Sequence, residues 1–538
     1  MLMRKRRWTA GAAAQTGFDV LDARLPAAEA ARTLLRKAFP DHWSFLLGEL
    51  ALYSFVVLVL TGSWLTLFFS PGSATSRYAG SYAPLRGLLM TQAYSSTLRI
   101  SFDVRGGLLM RQMHHWSALI FVAAISVHML RIFFTGAFRK PREVNWMIGV
   151  VLLFTALLEG FCGYSLPDDL LSGTGLRTAN SIVLSIPVIG TYLAFFAWGG
   201  PFPGRVFNDR LYILHVLFVP GLLIALITVH LVLVFYLKHT QWGGPGRVNR
   251  NVVGRPLFPH FTAKSTGLLL LVFATIAALS ALVQINPVWL YGPYVADQVS
   301  TDAQPDWYVG FLEGALRLMP PWETRAAGHT VMWNVLVPAL LLPGVLMMLL
   351  LCYPVFERWV TGDRAEHHLC DRPRDRPVRT GFGVAGIIAY TVLLVAGGND
   401  VVALTFRVSV NTLTWIFRIG FVVLPVLAFA VTKRLCLALQ AREKRRLRVG
   451  AETGDVVQSV YGAIEPRHVP VAGDRLYHFL VRDLPVPLPP PEADVPRTTR
   501  LRAALGRWYY GRRVELPATP EQHQHVTEAL AEPERRTS

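Results

Sequence analysis

Four histidines lie in two strongly apolar stretches of the sequence, and their spacing is the first feature that could support chemistry. His114 and His128 are fourteen residues apart within MHHWSALIFVAAISVHML. His215 and His230 are fifteen residues apart in a second such stretch. In an α-helix these intervals return to within about 40° and 60° of the starting face, and fourteen residues rise about 21 Å. Each stretch therefore presents two imidazoles on one side, one towards each end.

If both stretches are parallel membrane helices, His114 lies at the depth of His215, and His128 at the depth of His230. A single intramembrane histidine could equally serve packing or hydrogen bonding. Four at matched spacing instead favour ligation, and neutral imidazole is a good axial ligand for haem iron. We therefore predict two bis-histidine b-type haems, which suit electron transfer. His115 points to nearly the opposite face from His128, so we expect it to bind no iron.

Arginines near the ends of the first histidine stretch fit the same prediction. Arg111 precedes His114 by three residues, and Arg131 follows His128 by three. We expect both to face haem propionates at the membrane edge. The alternative is that they are flanking cations whose stems lie along the membrane surface.

Glycines recur at the same period in two further apolar runs. Gly48 and Gly62 are fourteen residues apart, and so are Gly149 and Gly163. Glycine is common in membrane helices for helix packing. Its pairing at the histidine period also predicts room for a flat macrocycle against the backbone.

The composition indicates a membrane protein. Of 538 residues, 52% are hydrophobic and only 16% are charged, whereas soluble chains carry about a quarter charged residues. Eight apolar runs are close to the ~20 residues that span a bilayer. They cover residues 45–69, 110–135, 146–166, 212–237, 265–285, 330–353, 382–397 and 412–435. We predict an all-α integral membrane protein with eight transmembrane helices, the first four forming a di-haem four-helix bundle.

The distribution of Lys and Arg among the loops predicts the orientation of these spans. The segment before the first span and the loops after the even-numbered spans contain more Lys and Arg than the loops after the odd-numbered spans. This distribution predicts a multi-pass plasma-membrane protein with both termini in the cytoplasm. The net charge of +18 then mostly reflects orientation and contact with membrane lipids, and we expect no nucleic-acid binding.

No removable signal peptide is expected. The four cysteines lack CxxC or CxxCH spacing, which argues against structural zinc and c-type haem.

The spans suggest four parts of the chain. We predict a cytoplasmic N-terminal segment at 1–44, the di-haem bundle at 45–240, a C-terminal transmembrane part at 241–439 and a polar cytoplasmic tail at 440–538. The tail contains LPVPLPPPEADVP, which is typical of an extended linker rather than a second large folded domain.

Further motifs make the sequence similar to a known family. RQMHHWSALIFVAAISVHMLR, GYSLP, SIPVIG and QPDWY occur in this order. Over roughly residues 40–440 the chain resembles cytochrome b of the quinol:cytochrome c oxidoreductases. The long polar tail, the Asp in PDWY and the single eight-span chain resemble the actinobacterial type.

The resemblance implies a quinol-oxidising site at the outer face. Asp306 and Tyr308 of PDWY match the family's Pro-Glu-Trp-Tyr motif, with Asp in place of Glu, and are the candidate catalytic residues. By itself, PDWY could be an ordinary turn followed by an interfacial aromatic. SIPVIG resembles the amphipathic helix that roofs the pocket. Asp168 and Asp169 replace the family's Trp-Gly, and we interpret them as solvated loop residues rather than part of a proton path.

The resemblance also implies a quinone-reducing site at the inner face. Lys264 matches a family lysine, whereas Ser265 stands where the family has Asp. Tyr236 stands where mitochondrial relatives often have a histidine. His239 could serve instead, or it could belong to a basic, lipid-facing loop, and the sequence leaves both alternatives open.

The implied function is bifurcated oxidation of a quinol, expected to be menaquinol. One electron goes to a Rieske iron–sulfur subunit, and the other crosses the membrane through two b haems to the inner site. The implied partners are that Rieske subunit, a cytochrome c subunit, a terminal oxidase and a second copy of the complex. One alternative is a di-haem membrane anchor that connects a dehydrogenase or hydrogenase to the quinone pool. Another is a transporter without a cofactor.

Overall fold

The protein is an α-helical membrane protein in which all eight predicted spans are present. The computed structural model describes residues 27–244, 246–298, 304–326, 328–471, 488–490 and 495–511. Within them, eight helices are long and apolar enough to cross a membrane. In chain order, and called the first to eighth span below, they are Leu47–Thr66, Gly107–Thr135, Glu143–Ser165, Phe207–Leu237, Leu257–Leu282, Trp333–Thr361, Pro377–Gly397 and Val410–Val449. The prediction of eight transmembrane helices is confirmed.

Shorter elements connect the spans. The other helices of at least seven residues are Ala27–Leu35, Gln92–Phe102, Leu170–Leu184, Gly190–Trp198, Gly310–Leu318, Asn399–Phe406 and Arg497–Tyr510. Single helical turns lie at Trp43–Phe45, Ala83–Leu85, Val288–Tyr291 and Pro373–Asp375. The strands form four antiparallel pairs: Ala38–Phe39 with Arg255–Pro256, Thr75–Arg77 with Leu89–Thr91, Glu323–Ala326 with His329–Met332, and Ala451–Gln458 with Ile464–Val469.

The first four spans pack around one apolar core. Its buried members come from all four helices: Ala51, Phe55, Phe121, Ala124, Leu152, Ala156, Val219 and Leu223. Phe121 lies seven residues from both His114 and His128, and the Phe55 ring contacts it at a centroid distance of 5.3 Å. We call this set the central apolar cluster. It fills the middle of the bundle between the two predicted histidine levels.

The short helix Gly310–Leu318 fixes the PDWY segment against the seventh span. Gly314 permits the contact, because a Cβ there would lie 1.8 Å from the Leu393 carbonyl oxygen. The apolar side chains of Phe311 and Ala315 then pack with Leu393. Just before this helix, Tyr308 lies against the third span, where a Cβ on Gly160 would lie 2.5 Å from the Tyr308 hydroxyl oxygen.

The C-terminal region has more structure than the predicted linker. The eighth span continues to Val449, so the predicted boundary at 440 falls inside a helix. The helix Arg497–Tyr510 packs against the C-terminal end of the sixth span and the N-terminal end of the seventh. Its Tyr509 hydroxyl donates to Glu357 Oε2 at 2.9 Å. Apolar and aromatic side chains in a polar sequence stabilise this contact. Residues 472–487, 491–494 and 512–538 of the predicted tail, like residues 1–26 of the predicted N-terminal segment, lie outside the described residues.

Buried ion pairs join the loops at the same end of the molecule. Arg379 is fully buried and bonds to both Glu357 and Asp371, the latter at 2.8 Å. Arg139 and Arg376 also pair with Asp371, at 3.1 and 2.9 Å. These cations hold the pKa of Asp371 far below its usual value. Such pairing is what makes the burial of these charges tolerable.

Candidate haem and quinol site

The four histidines lie at two levels of the four-helix bundle. At one level the His114 and His215 rings are 6.0 Å apart between centroids and nearly perpendicular, at 88°. At the other, His230 lies within electrostatic range of His128. We call the end that carries Asp306 the outer end, following the distribution of Lys and Arg, and the opposite end the inner end. The structure thus pairs the histidines as the spacing predicts.

Each histidine ring faces one of the four glycines. A Cβ built on Gly62 would lie 3.0 Å from His114 Cε1, and one on Gly163 would lie 2.4 Å from His215 Cε1. At the inner level, a Cβ on Gly48 would lie 3.1 Å from His128 Cε1. The fourth contact, from Gly149 to His230, is looser at 3.9 Å. At three of the four positions a side chain would displace the ring, so glycine is needed there to seat the imidazole.

Several buried nitrogen atoms at these levels lack a partner within the chain. In the described residues, His128 Nδ1 and His230 Nδ1 are buried without a hydrogen bond. A buried polar atom without a partner costs about 1–3 kcal/mol. No group of three or more His, Cys, Asp or Glu in the described chain could hold a bare metal ion. Two imidazoles per level are what a haem requires, because its iron takes two axial ligands and the macrocycle supplies the other four nitrogens.

Arg111 and Arg131 lie at the outer and inner level respectively. Arg111 donates to the Asn286 carbonyl at 3.1 Å, and Arg131 lies over the Phe45 ring at 4.3 Å. The Nε atoms of both are buried and have no acceptor among the described residues. A haem propionate at each level would supply the missing acceptor. An arginine that merely flanked the membrane would not need such an acceptor.

A cavity of about 490 Å³ opens beside the outer histidine pair. His114, His215 and Arg111 line one part of it, and Asp306 and Tyr308 line another. Its walls are otherwise largely apolar. One cavity therefore joins the predicted haem ligands to the predicted quinol-site residues.

Within this cavity, Asp306 is held by two side chains. His115 Nε2 lies 3.1 and 3.2 Å from its two carboxylate oxygens, and the Tyr308 hydroxyl donates to Oδ2 at 3.1 Å. Burial and the neighbouring Asp306 charge raise the pKa of Tyr308 well above its usual value. Tyr308 is therefore protonated at neutral pH and donates its hydrogen bond to Asp306.

The helical interpretation of SIPVIG is wrong. Residues 185–189 form the turn between the helices Leu170–Leu184 and Gly190–Trp198, and Gly190 begins the second helix. Pro187 has no amide hydrogen to continue a helix, and Val188 has φ +67° and is largely exposed. None of these six residues lines the outer cavity.

The interpretation of Asp168 and Asp169 as solvated is also wrong. Asp169 is buried and caps the helix Leu170–Leu184 by accepting from the Leu171 and Ser172 amides at 3.1 and 3.3 Å. Asp168 accepts from the Thr91 hydroxyl at 2.7 Å. Burial raises the pKa of Asp168 to about 6. Through these hydrogen bonds both side chains stabilise the outer loops.

The inner end carries the residues that the sequence leaves ambiguous. Lys264 pairs with Asp41, and both are about half exposed. The His239 ring contacts Phe39 at a centroid distance of 4.4 Å and its Nε2 is buried, so it does not face lipid, whereas Tyr236 is largely exposed. Burial lowers the pKa of His239 to about 4, and the imidazole is neutral at physiological pH.

Comparisons with known proteins agree with this geometry. Residues 119–293 match the family described as Cytochrome b(N-terminal)/b6/petB. The chain is 52% identical over 518 residues to the cytochrome bc1 complex cytochrome b subunit of Streptomyces coelicolor, covering 95% of both chains. It is 51% identical over 452 residues to the subunit of the same name from Mycobacterium tuberculosis, covering 84% of this chain and 82% of the relative. The chain belongs to the cytochrome b subunits of cytochrome bc1 complexes.

A solved structure titled Hyperthermophilic respiratory Complex III shares the fold. Its TM-score is 0.59 at 21% sequence identity, and the match covers 78% of this chain and 98% of the other. At this identity the likeness supports the architecture alone.

Three polar residues of this cytochrome b chain take part in the site although spacing did not single them out. His115 holds Asp306, and Glu159 Oε1 lies 2.9 Å from His215 Nδ1. Thr61 Oγ1 lies 3.1 Å from His114 Nδ1. A lone carboxylate in an apolar span, such as Glu159, is functional by default in membrane proteins, and this signal could have found it.

Proposed function

We propose that the chain, as a subunit of a respiratory quinol:cytochrome c reductase, oxidises menaquinol in the outer cavity and reduces a quinone at its inner end. The observation that carries this proposal is the cavity that His114, His215 and Asp306 share. It provides apolar walls for a quinol ring, a carboxylate for its proton and a pair of imidazoles for a redox centre. Family membership supports the same reaction.

Two b-type haems fit the two histidine levels. His114 and His215 would hold the outer haem, and His128 and His230 the inner one, with Arg111 and Arg131 compensating the propionates. Such bis-histidine haems, when bound, supply reversible one-electron transfer. The glycines Gly48, Gly62, Gly149 and Gly163 let the imidazoles lie against the neighbouring helices.

The chain's own contribution at the outer site is to remove protons. Quinol loses two protons as it loses two electrons, and a carboxylate positioned beside it accelerates the transfer. Asp306 accepts the proton, while the His115 and Tyr308 contacts fix the direction of its lone pairs. A neighbouring apolar wall keeps bulk water from competing for the quinol hydroxyl.

Two residues at the inner end support the proposed inner quinone site. Lys264 offers a half-exposed cation at the start of the fifth span. His239 offers a neutral ring with a buried Nε2 that has no partner among the described residues. Both suit hydrogen bonding to a quinone oxygen, and we retain both as inner-site residues.

The remaining electron needs an acceptor outside this chain. We infer a Rieske iron–sulfur subunit as that acceptor, followed by a cytochrome c subunit, in a dimeric complex that associates with a terminal oxidase. Such a complex would lie in the plasma membrane with both termini of this chain in the cytoplasm. These inferences rest on the resemblance and on the distribution of Lys and Arg.

Two alternatives are less well supported. A di-haem membrane anchor would need the histidine pairs but not the outer loop that brings Asp306 to the cavity. A transporter without a cofactor would not need imidazoles seated against glycines. Both also disagree with the family to which the chain belongs.

The proposal is tested by a redox titration of the purified complex followed by absorbance. We expect two b-type haem signals of different potential, both reduced by added menaquinol. A single b-type haem, or none, would overturn the di-haem assignment. Haems that menaquinol does not reduce by any route would overturn the quinol reaction.

A further inference from the structure

A carboxylate at the inner end of the first span has no role in the outer reaction. Glu49 directly follows Gly48, the glycine whose Cβ position lies 3.1 Å from His128 Cε1. It therefore sits at the inner histidine level, and no other residue of the span Leu47–Thr66 is charged. An ionisable residue inside a membrane span is costly and usually functional.

Glu49 is held in place by two hydroxyl groups. Ser265 Oγ, on the fifth span, donates to Glu49 Oε2 at 2.6 Å. The Tyr53 hydroxyl, one turn along the first span, donates to the same oxygen at 3.4 Å and also hydrogen-bonds Ser265. Within the described chain, Glu49 Oε1 has no hydrogen-bond partner. One oxygen is thus anchored, and the other is available to a ligand.

The same cluster reaches the aqueous phase at the inner end. Ser265 is preceded by Lys264, which pairs with Asp41, and the two side chains are 44% and 52% exposed. Charged groups in contact with water therefore lie one residue from the hydroxyl that bonds Glu49. Hydroxyl groups both donate and accept, so Ser265 and Tyr53 can carry a proton between water and the carboxylate.

We propose that Glu49 delivers protons to the quinone that is reduced at the inner end. This inference rests on the proposed function, which supplies the quinone and its electrons. Reduction adds two electrons and two protons, so that each of the two C=O groups becomes a C–OH group. The proton for the C=O group that faces Glu49 comes from its carboxyl, which is refilled from the inner aqueous phase through the hydroxyl pair. The C=O group on the opposite side of the ring takes its proton from the same aqueous phase.

The test compares Glu49→Gln and Glu49→Asp in the full complex. Gln keeps the size and one hydrogen-bond acceptor but cannot release a proton, whereas Asp can. With the outer site inhibited, menaquinol reduces the haems through the inner site in reverse. We expect this rate to fall about 100-fold in the Gln variant, at the lower end of the range for general acid–base catalysis. The Asp variant should recover much of the rate.

Two further readouts separate proton transfer from a structural role. The infrared difference spectrum of quinone reduction should contain a carboxyl C=O band that is absent in Glu49→Gln and shifted in Glu49→Asp. Glu143→Gln is the matched control, since Glu143 is another carboxylate at the inner end, paired with Arg358 at 3.3 Å. We expect it to leave the rate and the band unchanged.

Each outcome decides the inference. An unchanged inner-route rate in Glu49→Gln, or equal losses in Gln and Asp with the band intact, would overturn it. Should Glu49→Gln fail to assemble, Ser265→Ala must slow the inner route about tenfold or more, because it interrupts the relay to Glu49. Failure of the proposed function is distinct: the parent complex would then show no haem reduction by menaquinol through either route.

Discussion

Asp306 and His115 are 191 residues apart in the sequence, yet their side chains are 3.1 Å apart at the outer cavity. The contact gives each residue a role that it would not have alone. In the proposed reaction Asp306 would act as the base, and its contact with His115 would orient the carboxylate. The same contact explains why two consecutive histidines differ, since His114 faces His215 and His115 faces the PDWY segment.

The role of Asp306 predicts the behaviour of Asp306→Asn. Asn preserves size and hydrogen bonding but removes the basic oxygen, so haem reduction by quinol through the outer site should slow about 100-fold or more. Both haem spectra and reduction through the inner site should stay unchanged. Stopped-flow absorbance with an inner-site inhibitor measures the rate.

Asp306→Glu is the matched control, because it restores the carboxylate that the family usually has, and much of the rate should return. An Asn variant as fast as the parent would contradict the assignment. The proton acceptor would then have to be a water chain, since Tyr308 is held in its protonated form by burial.

The pairing of histidines predicts which haem each substitution removes. His114→Ala and His215→Ala should each lose the outer haem, whereas His128→Ala and His230→Ala should each lose the inner one. The reason is that one missing axial ligand leaves a single imidazole to hold the iron. Absorbance spectra and redox titration of the purified variants distinguish the two losses.

His115→Ala provides the contrast at the neighbouring position. It should retain both haems and slow only quinol oxidation, because Asp306 loses its orienting donor. Loss of a haem in this variant, with both haems retained in His114→Ala, would show that the assignment of helical faces is wrong.

Among the elements, the helix Leu170–Leu184 depends on Asp169, the residue that caps its N-terminus. Asp169→Ala removes the acceptor for two backbone amides, and loss of such a cap typically costs about 0.5–2 kcal/mol. We expect a lower midpoint temperature for thermal inactivation of quinol oxidation, with normal haem content before heating. Asp169→Asn should be much milder, because Asn caps helices equally well. Equal loss in both variants would mean that the charge, rather than the cap, is required.

The elements also show where sequence patterns predict well. Long apolar runs predicted all eight spans, since bilayer thickness sets both their length and their composition. Short elements were predicted poorly. The resemblance implies a helix at SIPVIG, whereas Pro187 and the positive φ of Val188 place a turn there. The helix Arg497–Tyr510 lies in a polar region, and its packing on the spans depends on a few aromatic residues that composition does not reveal.

For the molecule as a whole, an even number of spans predicts that both termini lie on the same side. Tags at residues 1 and 538, which lie outside the described residues, should be inaccessible from outside intact cells. A tag beside Gln304 in the outer loop should be accessible. Protease or impermeant-label accessibility measures this. Termini on opposite sides would mean that one helix, most simply Pro377–Gly397, does not cross the membrane.

At the same scale, only part of the candidate site could be predicted from the sequence. The histidines and glycines were predictable because their spacing lies within single helices and follows the helical period. Contacts between distant segments could not be predicted, because Glu49 and Ser265, or Glu159 and His215, lie on different helices and share no spacing within one helix. Such contacts depend on how the spans pack, which only the folded molecule defines.

The central apolar cluster also determines how the protein interacts with the membrane voltage. Its eight buried side chains are all apolar and polarise little in an electric field, so part of the voltage falls across this layer. Moving one elementary charge through the whole membrane potential is worth about 2.3 kcal/mol per 100 mV. An electron that passes from the outer to the inner level moves towards the negative side and does electrical work. The difference in redox potential between the two levels must exceed that work, and a fully energised membrane should slow the transfer and hold electrons at the outer level.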